Sequence, residues 1–287
     1  MKKVNQILSV LFFIAFCFPQ NANAQYVNIP DTYFGDLLYG QTDPNCWAQT
    51  IGYDLDTTCA DLNLIFEIDE PTSLITDLTG IEYLKNLKKL WISESSITFL
   101  PKLPSKLETI WADNCAISSL VNLPDSIKDL DLWNNALTSL PSLPNGIETL
   151  NIQGNYFTSN PIYPSSLREL NIAWNLIPDF PIVSTQLKSL SISFTLIDTI
   201  LPLPDSLSLL TCQDLNVYTL PVLPHELLGL YCDSNNISVL PTLPSKLQRL
   251  SASKNKLTFI PNFPDSLWMI NCPNNLLTSL PSMGNRV

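Results

Sequence analysis

From residue 84 to residue 284, apolar and polar positions repeat every 20 residues without a slip. Aligned on Leu87, Leu107, Ile127, Ile147, Leu167, Leu187, Leu207, Leu227, Leu247 and Leu267, every copy places a second apolar residue three positions later. The fourth copy reads Ile147-x-x-Leu150-x-Ile152-x-x-Asn155-x-Phe157. Apolar residues one apart, such as Leu90 and Ile92 or Leu130 and Leu132, have the period of a short strand with one face in a core. The column Asn135, Asn155, Asn175, Asn235, Asn255 and Asn275 follows, where a buried amide can satisfy backbone groups of neighbouring copies. Paired prolines, among them Pro101 with Pro104 and Pro141 with Pro144, fix φ and remove donors, so the rest of each copy is predicted to be extended or polyproline-like. The period therefore predicts ten parallel strands stacked roughly 4.8 Å apart.

These residues match the leucine-rich repeat pattern L-x-x-L-x-L-x-x-N/C-x-L at the short end of its length range. The resemblance implies a leucine-rich repeat solenoid: parallel β strands on the concave face, an extended, polyproline-like convex face, few or no helices in the repeats, and a small N-terminal cap. Segments such as Leu140-Pro141-Ser142-Leu143-Pro144 resemble the LPxLPxxL repeats of bacterial effector leucine-rich repeat proteins, some of which carry a C-terminal ubiquitin ligase domain. That likeness covers about 200 of the 287 residues and bears on fold more than on role. No ligase domain is recognised in the chain.

Residues 25–83 lack the period and read as a cap with an irregular entry repeat, because a first strand without a cap would expose the core edge. Ile75-Thr76-Asp77-Leu78 leads into the array at a spacing of 22 from Ile97, so the entry repeat is read as longer than the others. Val27-Asn28-Ile29-Pro30-Asp31-x-x-Phe34, followed by Leu74-Ile75-Thr76-Asp77-Leu78-Thr79-Gly80-Ile81, resembles the N-terminal part of secreted, Bacteroidetes-type leucine-rich repeat proteins. Many of those end in a C-terminal sorting domain, which is not recognised here. Residues 1–24 show two lysines, an apolar run and Ala22-Asn23-Ala24, the layout of a cleavable secretory signal, with Gln25 as the expected mature start. Lipidation at Cys17 is the alternative. The apolar run is shorter than the roughly 20 residues of a spanning helix, so export to the medium or the cell surface is expected, with no transmembrane segment in the mature chain. Ser282-Met283-Gly284 and the tail 285–287 are read as no cap, which leaves end-to-end self-association open.

Without Lys2 and Lys3, 13 basic residues face 26 acidic ones, a formal charge of −13. Such a balance repels nucleic acid and anionic membranes. Residues 25–84 hold eleven acids and no base, read as a solvated acidic cap or, alternatively, a calcium site from Asp54, Asp56 and Asp61. Cys46 and Cys59, the pair in the non-repeating segment, are expected to form a disulfide. Cys212, Cys232 and Cys272 fall on the inward strand position and read as buried thiols, while Cys115 stands in the Asn column. Around Ser184, Thr195, Leu201 and Leu215 the repeat loses proline or asparagine positions. A change of curvature or a mobile joint is one reading there, and ordinary degeneracy the other.

Outward strand positions are not dictated by the repeat, so their chemistry carries the functional evidence. Trp91, Trp111, Trp133, Trp174 and Trp268 fall in or beside them. Trp91 and Trp111 share one slot in adjacent copies and are expected to stack. Asp113, Asp129, Asp131, Asn151, Glu169 and Asn171 lie nearby, and Tyr231 with Asp233 forms a secondary patch. Exposed indoles among acids suit a basic or hydroxyl-rich protein or peptide partner. A glycan bound on tryptophan platforms is the ligand alternative, and a paired-carboxylate hydrolase the catalytic one. His225 has no nucleophile partner at a recognisable spacing, and no cofactor or metal site is expected. The reading is an exported, non-enzymatic binding protein.

Overall fold

The structure, a computed structural model, describes residues 24–48, 52–69 and 74–281. The proposed leader up to residue 23, with Cys17, and the tail 282–287 lie outside the described residues. Two short strands, β1 (Tyr26–Asn28) and β2 (Asp54–Asp56), pair antiparallel beside helix α1 (Thr32–Gln41). β3 (Glu67–Asp69) then opens a parallel sheet that continues through β4 (Lys89–Trp91), β5 (Thr109–Trp111), β6 (Asp129–Asp131), β7 (Thr149–Asn151), β8 (Glu169–Asn171), β9 (Ser189–Ser191), β10 (Leu209–Thr211), β11 (Gly229–Tyr231), β12 (Arg249–Ser251) and β13 (Met269–Asn271). Spatial order follows chain order throughout the 11-stranded sheet. The molecule is a parallel β-solenoid, and among the described residues no helix follows the short 3-10 turn Ile81–Tyr83.

The strands number one more than the ten expected from the period. Ile68 pairs with Leu90, so β3 is the strand of the 22-residue entry repeat whose outer part is Ile75 to Leu84. From β4 onward Leu90, Ile110, Leu130 and their successors pair in register, and each is buried until Ile270 at the last strand. The second proline of each pair accepts the amide of the apolar residue three positions on, as in Leu107 N to Pro104 O at 3.2 Å and Ile147 N to Pro144 O at 3.3 Å. Ser184 replaces that proline and keeps the turn, with Leu187 N to Ser184 O at 3.2 Å.

After each strand one residue lies in the left-handed region: Glu94, Asn114, Asn134, Gly154, Trp174, Phe194 and so on to Asn274, with φ between 52° and 66°. The Asn column follows directly. Asn155 donates to Leu132 O at 2.9 Å and Ile152 O at 3.1 Å, and accepts from Leu137 N at 2.9 Å, tying its copy to the preceding one. Asn135, Asn175, Asn235, Asn255 and Asn275 repeat this bridge. Thr195 reaches Ile192 O of its own copy alone, and Leu215 has no polar side-chain atom, so the cross-copy ladder is interrupted at both, while strand pairing runs through without offset. Cys115 is a weak substitute, with its Sγ 3.4 Å from Ile92 O. Cys212 and Cys232 are fully buried, and burial pushes the Cys212 thiol up to about 12.

The cap is joined to the array by Asp31. One carboxylate oxygen caps α1 by accepting from Phe34 N at 2.9 Å, and the other accepts from Thr76 N at 2.6 Å, Thr76 Oγ1 at 2.7 Å and Asp77 N at 3.2 Å. Burial raises this carboxyl, but the hydrogen bonds from Phe34, Thr76 and Asp77 outweigh it and hold it below its ordinary value. Gly80, at φ 102°, lets Ile29 pack onto the entry repeat: a Cβ there would stand 2.2 Å from Ile29 Cδ1. Cys46 and Cys59 are bonded, with Cα atoms 5.4 Å apart. Asp56 accepts from Thr58, Asp61 from Asp43 N and Asp54 from Asn28, and among the described residues these three carboxylates do not gather closely enough to hold one cation.

Two predictions test these joints. Asp31→Ala is expected to lower stability at neutral pH by about 3 kcal/mol, read by urea unfolding. Because the folded carboxyl titrates below its unfolded value of 3.8, its contribution is full above that value and is lost as pH falls through the folded one. The deficit should therefore shrink in acid, and a constant deficit would refute the assignment. Asn155→Ala should leave Leu137 N unpaired and remove the cross-copy bond to Leu132 O, which keeps Asn135 Nδ2, at roughly 1–3 kcal/mol, seen as faster amide exchange at Leu137 with Ile237 unaffected.

Candidate functional site

Because side chains alternate across a strand, each three-residue strand turns its central residue inward and its flanking two outward. The outward column beginning at Asp69 continues as Trp91, Trp111, Asp131, Asn151 and Asn171. A second begins at Glu67 and continues as Lys89, Thr109, Asp129, Thr149 and Glu169. The structure thus brings Trp91, Trp111, Asp129, Asp131, Asn151, Glu169 and Asn171 onto one sheet face, with Asp113 and Trp133 just beyond their strands.

Trp91 and Trp111 meet edge to face, with centroids 5.4 Å apart and planes at 82°, instead of stacking in parallel. This arrangement sets the positive edge of one ring on the negative face of the other. Trp111 Nε1 donates to Asp129 Oδ2 at 3.0 Å, so the indole is oriented from below while 39% of it stays exposed. Burial raises the Asp129 carboxyl, partly offset by that bond. Burial also raises Asp131, against hydrogen bonds from Trp133 N at 2.9 Å and Asn151 Nδ2 at 3.1 Å, and the charges of Asp113 and Asp129 add to the rise. Asp113 accepts from Ser93 Oγ and from Asn114 Nδ2. Asn171 donates to Gln153 Oε1 at 2.7 Å. The result is a fixed line of two indoles, two desolvated carboxylates and two amides.

The secondary patch is built differently. Asp233 is buried, and its carboxylate accepts from Ser251 Oγ at 2.7 Å, Ser253 N at 2.7 Å and Gln213 Nε2 at 2.6 Å. Burial raises this group, but the Ser253, Ser251 and Gln213 bonds outweigh it and hold it below the ordinary carboxylate range. Its oxygens are engaged within the protein. Gly229 leaves room beside Tyr231, since a Cβ there would lie 3.3 Å from the Tyr231 ring. Trp268 is covered by the Arg249 guanidinium, 4.9 Å from the ring centroid.

Sequence reasoning missed a rim next to the acid and indole line. Trp174 stacks on Phe194, centroids 3.9 Å apart and planes at 16°, and both hold left-handed backbone that bulky residues rarely adopt. Tyr156, Leu176 and Leu196, successive members of one column, are exposed beside them, where copies on either side carry Ala136 and Asn216. The period alone contained that signal. Open grooves of about 530 and 620 Å³ lie away from these residues, between the irregular segments around Leu140 to Pro164 and Phe99 to Asp125. They are lined by the proline pairs that build the turns, and hold no cluster of titratable groups.

The fold is that of leucine-rich repeat proteins. YopM, a leucine-rich effector protein from Yersinia pestis, superposes with a TM-score of 0.68 at 28% identity, over 72% of this chain and 65% of YopM. The functional domain of InlJ from Listeria monocytogenes matches at 0.64 and 20% identity, over 88% of this chain and 62% of that one. A chain from the octameric complex of Latrophilin 3, Unc5D and FLRT2 (LRR) matches at 0.57 and 19% identity, over 68% of this chain and 70% of that one. The chain thus spans less than two thirds of the first two. No family model and no curated protein matches it in sequence.

The indole-to-carboxylate bond can be tested directly. Trp111→Phe keeps a ring and deletes the donor, so Asp129 should titrate at higher pH than in the parent, followed by carboxyl carbon NMR. An unchanged or lower titration would show that the bond does not set the charge on this face.

Proposed function

We propose that the chain is an exported bacterial leucine-rich repeat protein that binds a protein or peptide partner through the concave sheet face. The observation that carries this reading is the line Trp91, Trp111, Asp129, Asp131 and Asn151, set on positions where the repeat itself requires nothing. A half-exposed indole held by a hydrogen bond binds at little cost in conformational entropy, and the desolvated carboxylates beside it favour a basic partner. YopM is named an effector protein, and the FLRT2 repeat sits in a multiprotein complex, which supports a role in protein recognition. Export rests on the residues 1–24 pattern and agrees with the Cys46–Cys59 disulfide, a bond suited to an oxidising compartment. The first strand begins at Tyr26, just beyond the expected cleavage point. Among the described residues no helix is long and apolar enough to cross a membrane. The role is non-enzymatic: Asp129 and Asp131 lie on an open face without the dry pocket that acid catalysis by a raised carboxyl requires.

The test is a screen of the protein against host and neighbour-cell protein extracts and a glycan array, beside a Trp91→Ala/Trp111→Ala double variant. A protein captured by the parent and lost at least tenfold in the variant, about 1.4 kcal/mol, supports the reading. Capture that the variant retains would move the function off this face, and glycan binding lost in the variant would replace the partner class.

A further inference from the structure

The left-handed residue after each strand lies at the rim of the sheet face, and in two places neighbouring copies join their side chains there. Asn134 Nδ2 donates to Asn114 Oδ1 at 2.8 Å, and Trp174 stacks on Phe194. Between Asn134 and Trp174 the series has a rung without a side chain, Gly154 at φ 66°. Phe194 covers one face of the Trp174 indole, and among the described residues no ring or cation meets the other. Trp133 flanks the gap: its Cδ1 lies 3.6 Å from where a Gly154 Cβ would stand. Asn134 Oδ1 accepts no hydrogen bond within the described residues. Trp133 is anchored through its backbone amide to Asp131, which brings a carboxylate to the same corner.

We propose that this empty rung is a slot for the guanidinium of an arginine presented by a protein partner. Two rungs span roughly 10 Å, which leaves about one planar group of space between the flanking side chains. A guanidinium is flat enough to lie against the free indole face, where cation–π attraction favours it. Its fork of donors matches the open Asn134 Oδ1 and the acids beyond, whereas an ammonium neither stacks nor spreads its donors in a plane. The formal charge of −11 and the carboxylates Asp113 and Asp131 supply the complementary field. Tyr156, Leu176 and Leu196 then offer apolar footing to the residues beside that arginine. This inference rests on the sheet face being a protein-binding surface and names the group it reads.

The experiment follows the indole N–H signals of the purified protein while acetyl-Gly-Arg-Gly-amide is added, with the lysine and citrulline peptides and methyl glucoside in parallel. Trp133 and Trp174 should shift with the arginine peptide, and at least threefold more weakly with lysine or citrulline. Gly154→Asn fills the rung with the residue found at 114 and 134, in a conformation asparagine tolerates, and its Cβ would approach no atom closer than 3.5 Å. It should fold normally and weaken the arginine response about tenfold. Equal shifts from citrulline, shifts from the glucoside alone, shifts confined to Trp91 and Trp111, or a response untouched by Gly154→Asn would each overturn the slot. A captured partner that needs Trp91 and Trp111 but ignores Gly154→Asn overturns the slot and leaves the proposed function standing. An arginine response at Trp133 and Trp174, with capture indifferent to the Trp91/Trp111 variant, does the reverse.

Discussion

Ten times in succession the chain leaves the sheet through a residue in the left-handed region, and the rest of the molecule depends on that turn being made the same way each time. For an L-residue the conformation costs about 1–2 kcal/mol, so it persists because the next copy is there to receive it. Glu94 N meets Asp113 O at 2.8 Å, Asn114 N meets Trp133 O at 2.8 Å, and the pattern continues to Lys254 N and Pro273 O at 2.9 Å. The following asparagine then closes the copy against the preceding one from inside the core. Neither bond exists in an isolated copy. Stability therefore lies in the joints between copies, as expected of a quasi-one-dimensional array.

Because the backbone is fixed by those joints, the outward columns are free to carry chemistry, and the charges are sorted between them. Lys88, Glu108 and Lys128 alternate just before the strands, at 3.4 and 3.0 Å, and Arg168 faces Glu148 at 3.7 Å. Exposed pairs of this kind contribute little to stability because solvent screens them. Their larger effect is to engage basic side chains with partners at one edge of the strands. Among the described residues Asp113, Asp129 and Asp131 on the face form no ion pair with a cation, and they keep their field for what approaches.

The period of 20, the inward columns and the asparagine bridges were legible because each is a property of spacing, and spacing survives in a sequence. The same holds for Cys46 with Cys59. The eleventh strand was hidden because Glu67-Ile68-Asp69 belongs to the 22-residue entry repeat, which keeps Ile65, Ile68 and Ile75 but is two residues off the period, has Glu70 in place of the second apolar strand residue and carries no asparagine in the turn column. Asp31 was not singled out in the sequence: its second oxygen reaches Thr76 across 45 residues, which no local pattern announces. The edge-to-face geometry of Trp91 and Trp111, and the stacking of Trp174 on Phe194, depend on rotamers set by neighbours. Asp233 looked like an outward acid by position, yet two serines and a glutamine close over it.

The constant register also shapes how such a sheet can form. Parallel strands ordinarily demand distant partners, and the entropy of closing long loops slows them. Here every strand finds its partner 20 residues away, or 22 at the entry repeat, whatever the length of the array. The typical separation is roughly 0.07 of the chain, a value characteristic of helical bundles. An all-parallel sheet of this build can therefore assemble by zippering from its capped end, each closure as short as the one before it.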